Sequence, residues 1–153
     1  MRTCVERSAR LKRNGRDMGH TRVRVKIQNV FDWGAAQDQK GRRIRTITIP
    51  KAVVDTGATN LRLPKRYIRK LGLRPLGHTE PVNTAVGVVE SKLYAGAMLT
   101  IEDRTEVFSV LELPDTAPAL IGVLVLEALD YMVDPTTEKL VGKHGEKRVI
   151  LLY

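Results

Sequence analysis

From Val23 the chain alternates, with Val23, Val25 and Ile27 on one face and Arg24, Lys26 and Gln28 on the other, a period of two that predicts a half-buried strand. The polar stretch from Asp32 to Arg43 carries two glycines and reads as a loop. Ile44, Thr46 and Thr48 then alternate with Arg45, Ile47 and Ile49, so a second strand is expected to end near Pro50. Ala52-Val53-Val54 runs directly into Asp55-Thr56-Gly57, a strand that delivers an acid into a glycine turn. Tyr67, Ile68 and Leu71 fall at helical spacing between Pro64 and Gly72, which predicts a short helix with proline near its start and glycine just past its end.

The second half repeats this order. Residues from Val82 to Leu113 are rich in Val, Leu, Thr and Ile and break at Ala85-Val86-Gly87 and at Glu102-Asp103-Arg104, the pattern of two successive hairpins. A loop bounded by Pro114 and Pro118 precedes Ala119-Leu120-Ile121, Gly122 and a helical run from Leu124 to Leu129, whose Leu124, Leu126 and Leu129 are assigned to the core. Tyr131-Met132-Val133 and Leu140-Val141 read as short strands separated by the turn signal Asp134-Pro135, with another turn around His144-Gly145. Val149-Ile150-Leu151-Leu152 predicts a last apolar strand whose edge calls for pairing with another chain, so a homodimer is expected before any motif is considered.

Composition narrows the class. A length of 153 residues suits one domain, and 42% apolar residues with only 5% aromatic imply a core of aliphatic side chains. Cys4 is the only cysteine, which excludes a disulfide framework or a thiolate metal cage and fits a reducing cytoplasm. No apolar run is long enough to cross a bilayer, and no secretory leader pattern opens the chain, so no membrane association is expected. The net charge of +9 raises nucleic acid as a partner. Seven of the 26 basic residues (Arg2, Arg7, Arg10, Lys12, Arg13, Arg16 and Arg22) crowd the first 22 positions, however, without interleaved aromatics or a reading motif. Residues 1–21 therefore read as a disordered basic arm, with Met18 an alternative start, and residues 22–153 as the folded domain.

Asp55-Thr56-Gly57-Ala58-Thr59, preceded by Ala52-Val53-Val54 and followed by Leu61-Arg62-Leu63-Pro64, resembles the active-site turn of the retropepsin-like aspartic proteases, bacterial members included. Leu120-Ile121-Gly122 and the helix after it resemble the structural hydrophobic-hydrophobic-glycine segment of that family. An isolated Asp-Thr-Gly is often only a turn. The apolar strand before it and the second glycine segment behind it set this one apart. The resemblance implies an all-β fold, a closed acid-protease barrel with one or two short helices and one lobe per chain.

The implied activity is peptide-bond hydrolysis on a peptide or protein substrate. Water attack on an amide needs a base for the water and an acid for the carbonyl oxygen and the leaving amine, and two carboxylates about 3 Å apart that share one proton supply both. Only one Asp-Thr-Gly occurs, and Asp115-Thr116-Ala117 lacks the glycine, so the second Asp55 must come from another subunit. The resemblance carries the catalytic role to Asp55, with Thr56 bonding across the two-fold axis and Gly57 completing the turn. It makes Ala58 and Thr59 the cleft floor and Thr84-Ala85-Val86-Gly87 the tip of a covering flap. Neither metal nor organic cofactor is implied, and His20, His78 and His144 are scattered and read as surface residues. Many viral relatives carry arginine where Val123 follows Gly122 here, so their internal salt bridge is absent. The competing reading is an inactive dimerisation or peptide-binding module on the same fold.

Overall fold

A computed structural model describes residues 12–13, 16–17, 21–84 and 86–149. Within the arm, the backbone of Lys12–Arg13 pairs antiparallel with Arg16–Asp17. The body holds strands β1 (Arg22–Asn29), β2 (Thr46–Val54), β3 (Leu61–Pro64), β4 (Arg74–Thr84), β5 (Gly87–Ile101), β6 (Arg104–Leu113), β7 (Leu120–Ile121), β8 (Tyr131–Val133) and β9 (Leu140–Gly142). Its helices are α1 (Val30–Asp38), α2 (Lys65–Leu71) and α3 (Val123–Ala128).

Seven strands share one sheet in the order β1-β2-β7-β3-β6-β5-β4, and β1 also pairs with β5. The second pairing closes a ring, because Ile27 lies opposite Ile47 on one side and Leu99 on the other. The all-β closed barrel expected from the sequence is thus the fold observed. Closure removes the open edges that would otherwise template aggregation. β4 stays outside the ring, paired only to β5, and its residues are exposed apart from buried Val82 and half-buried Thr84.

Side-chain alternation explains what fills the ring. Val25 and Ile27 of β1 are fully buried while Arg24 and Lys26 face out, and Leu61, Leu63, Leu99, Ile101, Val110 and Ile121 join them inside. Each such aliphatic side chain contributes roughly 1.5–3 kcal/mol on burial. α2 covers this core with Ile68 and Leu71 and ends on Gly72 in the left-handed conformation, as its sequence predicts. α3 presents Val125 and Leu126, followed by the capping Leu129; Leu124, assigned to the core by its spacing, is instead 48% exposed. A helix that starts at Val123 turns Leu124 away from the ring, and Val125 takes the inner position.

Three further expectations change. The stretch from Asp32 to Arg43, read as loop, begins inside α1. Buried Asn29 caps that helix: its Oδ1 accepts from Phe31 N (2.9 Å) and Asp32 N (3.1 Å), and its Nδ2 donates to Leu71 O (2.8 Å). The cap and its tie to α2 stabilise a helix that Gly34 and the weak apolar spacing conceal. The strand expected to end near Pro50 continues through it to Val54. A bulge between the Val23–Ala52 and Val25–Ile49 pairs sets the extra residue of β2 against β1, and proline, which has no N–H to donate, fits such a break. β4 also begins at Arg74, earlier than the apolar pattern indicated, because Pro75, Gly77 and Pro81 hide an exposed edge strand.

The end of the described chain is drawn onto the ring by buried Arg104. Its guanidinium donates to Leu129 O, Asp130 O, Gly145 O and Glu146 O and lies 4.3 Å from the centre of the Tyr131 ring. Asp130, at a φ of 59°, accepts from Val149 N (3.0 Å) and meets His144 Nδ1 at 2.6 Å, so His144 has a carboxylate partner. The expected terminal strand continues from Val149 into residues 150–152, outside the described residues, as are Cys4, Met18 and His20.

Asp32 closes the α1 region by accepting from Arg45 through the backbone N (3.0 Å), Nε (2.7 Å) and an end nitrogen (2.9 Å). The Arg45 side-chain hydrogen bonds outweigh burial and hold the Asp32 carboxyl at about 2, below its ordinary 3.8. A depressed folded value stabilises the fold above the unfolded value, and that contribution is lost as pH falls from 3.8 through about 2. Because the Arg45 side chain is 47% exposed, solvent screens the pair. Asp32→Asn should cost about 1 kcal/mol in urea unfolding at pH 7, and most of the difference from the parent should be gone at pH 2. An equal deficit at both pH values would show that the charge pair is not its source.

Candidate active site

β2 ends at Val54, and the backbone of Asp55 is held from the neighbouring chain segment: Asp55 N donates to Ile121 O at 3.0 Å. The turn then closes on itself. Ala58 N donates to Asp55 O (3.0 Å), and Gly57 N donates to Asp55 Oδ1 (2.8 Å), an Asx-type turn that aims the carboxylate. Asp55 is 6% exposed, and its Oδ2 is buried with no hydrogen-bond partner among the described residues. Thr56 and Gly57 stand exposed beside it, and Ala58 is buried beneath.

The segment after β7 is threaded against the loop that follows the turn. Val123 N donates to Ala58 O (2.8 Å) and Leu124 N to Thr59 O (3.1 Å). A Cβ on Gly122 would lie 2.5 Å from the Thr59 carbonyl carbon and oxygen and closer still to Asn60 O. Gly122 has an ordinary φ of −81°, so glycine is needed there for space and not for backbone conformation. Leu120 and Ile121, both buried, register this segment against Val53 and Val54 on one side and Leu61 and Arg62 on the other.

Beside the turn lies a pocket of about 380 Å³. It is lined by Thr59, Asn60 and Arg62, by Glu80, Pro81 and Val82 of the β4–β5 hairpin, and by Leu93, Ser109 and Leu111. None of the described residues of the hairpin tip lines it. Thr84 Oγ1 donates to Gly87 O (2.7 Å) and accepts from Val86 N (3.3 Å), Gly87 takes a φ of 115°, and Val86 is 90% exposed. Ala85 lies outside the described residues. Arg62, half-buried, has an Nε that is buried without a partner among the described residues. Burial pushes its guanidinium below the ordinary arginine value, and the nearby Asp55 carboxylate pulls the other way.

The family model described as gag-polyprotein putative aspartyl protease matches residues 46–128, from the start of β2 to the end of α3. The chain belongs to that family. The matched region contains the Asp55 turn, the β4–β5 hairpin and the Gly122 crossing. No curated protein matches the chain. Among the described residues of this aspartyl protease family member, no helix is long and apolar enough to cross a membrane.

The structure therefore gathers Asp55, Thr56, Gly57, Ala58 and Thr59 with Leu120, Ile121 and Gly122 in one place, and holds Thr84, Val86 and Gly87 apart at the hairpin tip. Sequence reasoning passed over Asn60, Arg62 and Ser109, which share the pocket. A signal for Arg62 was present: in Leu61-Arg62-Leu63 a lone arginine interrupts buried leucines at strand spacing, so it must face away from them.

Gly122→Ala should destabilise the protein by about 2–3 kcal/mol in urea unfolding, because the added methyl meets backbone that cannot swing aside. Stability within a few tenths of a kcal/mol of the parent would mean that the crossing is looser than these distances require.

Proposed function

We propose that the chain is an aspartic endopeptidase that acts as a homodimer, with the Asp55 of each copy forming the catalytic pair. The carrying observation is the buried, unpartnered Oδ2 of Asp55 at the end of a fixed strand. Leaving a carboxylate oxygen dry and unbonded is costly unless a second group meets it, and an aspartic acid from a symmetry-related copy is such a group. Exposed Thr56 and Gly57 next to it leave room for that approach.

In this arrangement one Asp55 carboxylate takes a proton from water as the water oxygen bonds to the scissile carbonyl carbon. The other, protonated, gives its proton to the carbonyl oxygen. Collapse of the resulting diol breaks the C–N bond as the now ionised carboxylate takes a hydroxyl proton and the protonated one gives its proton to the leaving amine. The substrate is an extended peptide, laid between the Ala58–Thr59 floor and the β4–β5 hairpin as an added strand. The hairpin, attached to the ring through β5, serves as the flap, and its exposed Val86 tip closes over the bound chain. The reaction is placed in the cytoplasm and needs no metal.

Asp55→Asn keeps the side-chain shape and should lower kcat by roughly 10²–10⁴-fold with the circular-dichroism spectrum unchanged. Specific activity should rise with protein concentration in step with the dimer fraction seen by sedimentation. Undiminished hydrolysis by Asp55→Asn would reject the catalytic assignment, and full specific activity from a monomer would reject the dimer. A folded dimer that binds peptides without cutting any would favour the inactive binding module instead.

A further inference from the structure

Arg62 sits where a strand residue of this core has no structural need to be charged. Leu61 and Leu63 on either side of it point into the ring and are essentially fully buried. Arg62 points the opposite way, into the pocket beside the Asp55 turn. Its Nε has lost water and gained no partner, which ordinarily costs about 1–3 kcal/mol. A leucine would line the same wall without that penalty.

The acids near it do not satisfy it. Asp55 attracts the guanidinium through space but bonds Gly57 N with one oxygen and leaves the other unpaired. Glu80, which also lines the pocket, is exposed and lies 3.6 Å from His78 Nε2, and among the described residues no ion pair joins it to Arg62. The same pocket is lined by further polar side chains, Thr59, Asn60 and Ser109, and by the apolar Leu111, Leu93 and Val82. A planar guanidinium with an unused N–H, in a pocket that also offers hydroxyl, amide and apolar groups, is suited to a carboxylate on a short methylene stem.

We infer that Arg62 makes this pocket a subsite for an acidic side chain, Asp or Glu, of the bound peptide. The inference rests on the proposed peptidase reading for the peptide itself, and it adds which residue is preferred. Successive side chains of a peptide strand point to opposite faces, so the pocket reads one fixed position relative to the cut bond. In the symmetric dimer both copies carry Arg62, and acidic residues are favoured at two matched positions, one on each side of the bond.

A mixed peptide library, read by mass spectrometry, tests this. Cleavage sites should be enriched in Asp or Glu at a fixed offset, and Glu should exceed Gln there by about tenfold or more in kcat/KM. Arg62→Gln should erase the preference, Arg62→Lys should keep most of it, and Arg62→Glu should turn it towards lysine. Arg62→Leu replaces the glutamine variant if that variant unfolds below the assay temperature. Cleavage without acidic enrichment, or enrichment that survives Arg62→Gln, overturns the subsite while leaving the peptidase reading intact. Binding of reduced-amide peptides with Glu or Gln at that offset separates the two claims further. If no peptide is cut but the Glu form binds more tightly and only through Arg62, the subsite stands and the hydrolytic reading falls. Equal binding of the two forms without cleavage overturns both.

Discussion

The interlock between the Asp55 turn and the Gly122 crossing is the constraint on which the site depends. Asp55 N is held by Ile121 O, and the carbonyls of Ala58 and Thr59 are held by Val123 N and Leu124 N, so three backbone bonds tie two segments more than 60 residues apart in the chain. The bonds form only because Gly122 has no side chain to strike Thr59 and Asn60. A loop that would otherwise be free at a strand end is thereby fixed on both sides, and the Asp55 carboxylate inherits that rigidity.

The ring supplies the stiffness behind that interlock. β7 contributes two residues, yet it lies between β2 and β3 and so joins the strand before the acid to the strand after it. Closure of β1 on β5 makes every ring strand an inner strand, and the aliphatic core follows from the alternation this requires. The one arm left outside the ring is β4, and it is the arm that reaches over the pocket. Membership in the aspartyl protease family spans the interlock and the hairpin alike.

Much of this was legible in the residues. Period-two alternation identified β1 and β2, the proline and glycine around residues 64–72 identified α2, and Asp55-Thr56-Gly57 after three apolar residues marked the turn. The misses share a physical origin. α1 is held by Asn29, whose capping and tertiary bonds leave no periodic trace in the helix, and β4 is an exposed edge with little apolar pattern to show. Leu124 was misplaced because three leucines at near-helical spacing do not say where the helix starts.

The amino-acid order by itself determined local matters: which segments alternate, where glycine permits a turn, and that an acid follows a buried strand. Those depend on neighbours in the chain, whose geometry the backbone sets directly. The tertiary structure alone decided that Gly122 is needed for space, that Asp55 Oδ2 and Arg62 Nε are buried without partners among the described residues, and that Arg62 shares a pocket with Glu80, Pro81 and Val82 of the hairpin. Burial and close approach between distant segments are properties of packing, and no spacing along a chain encodes them before the ring has closed.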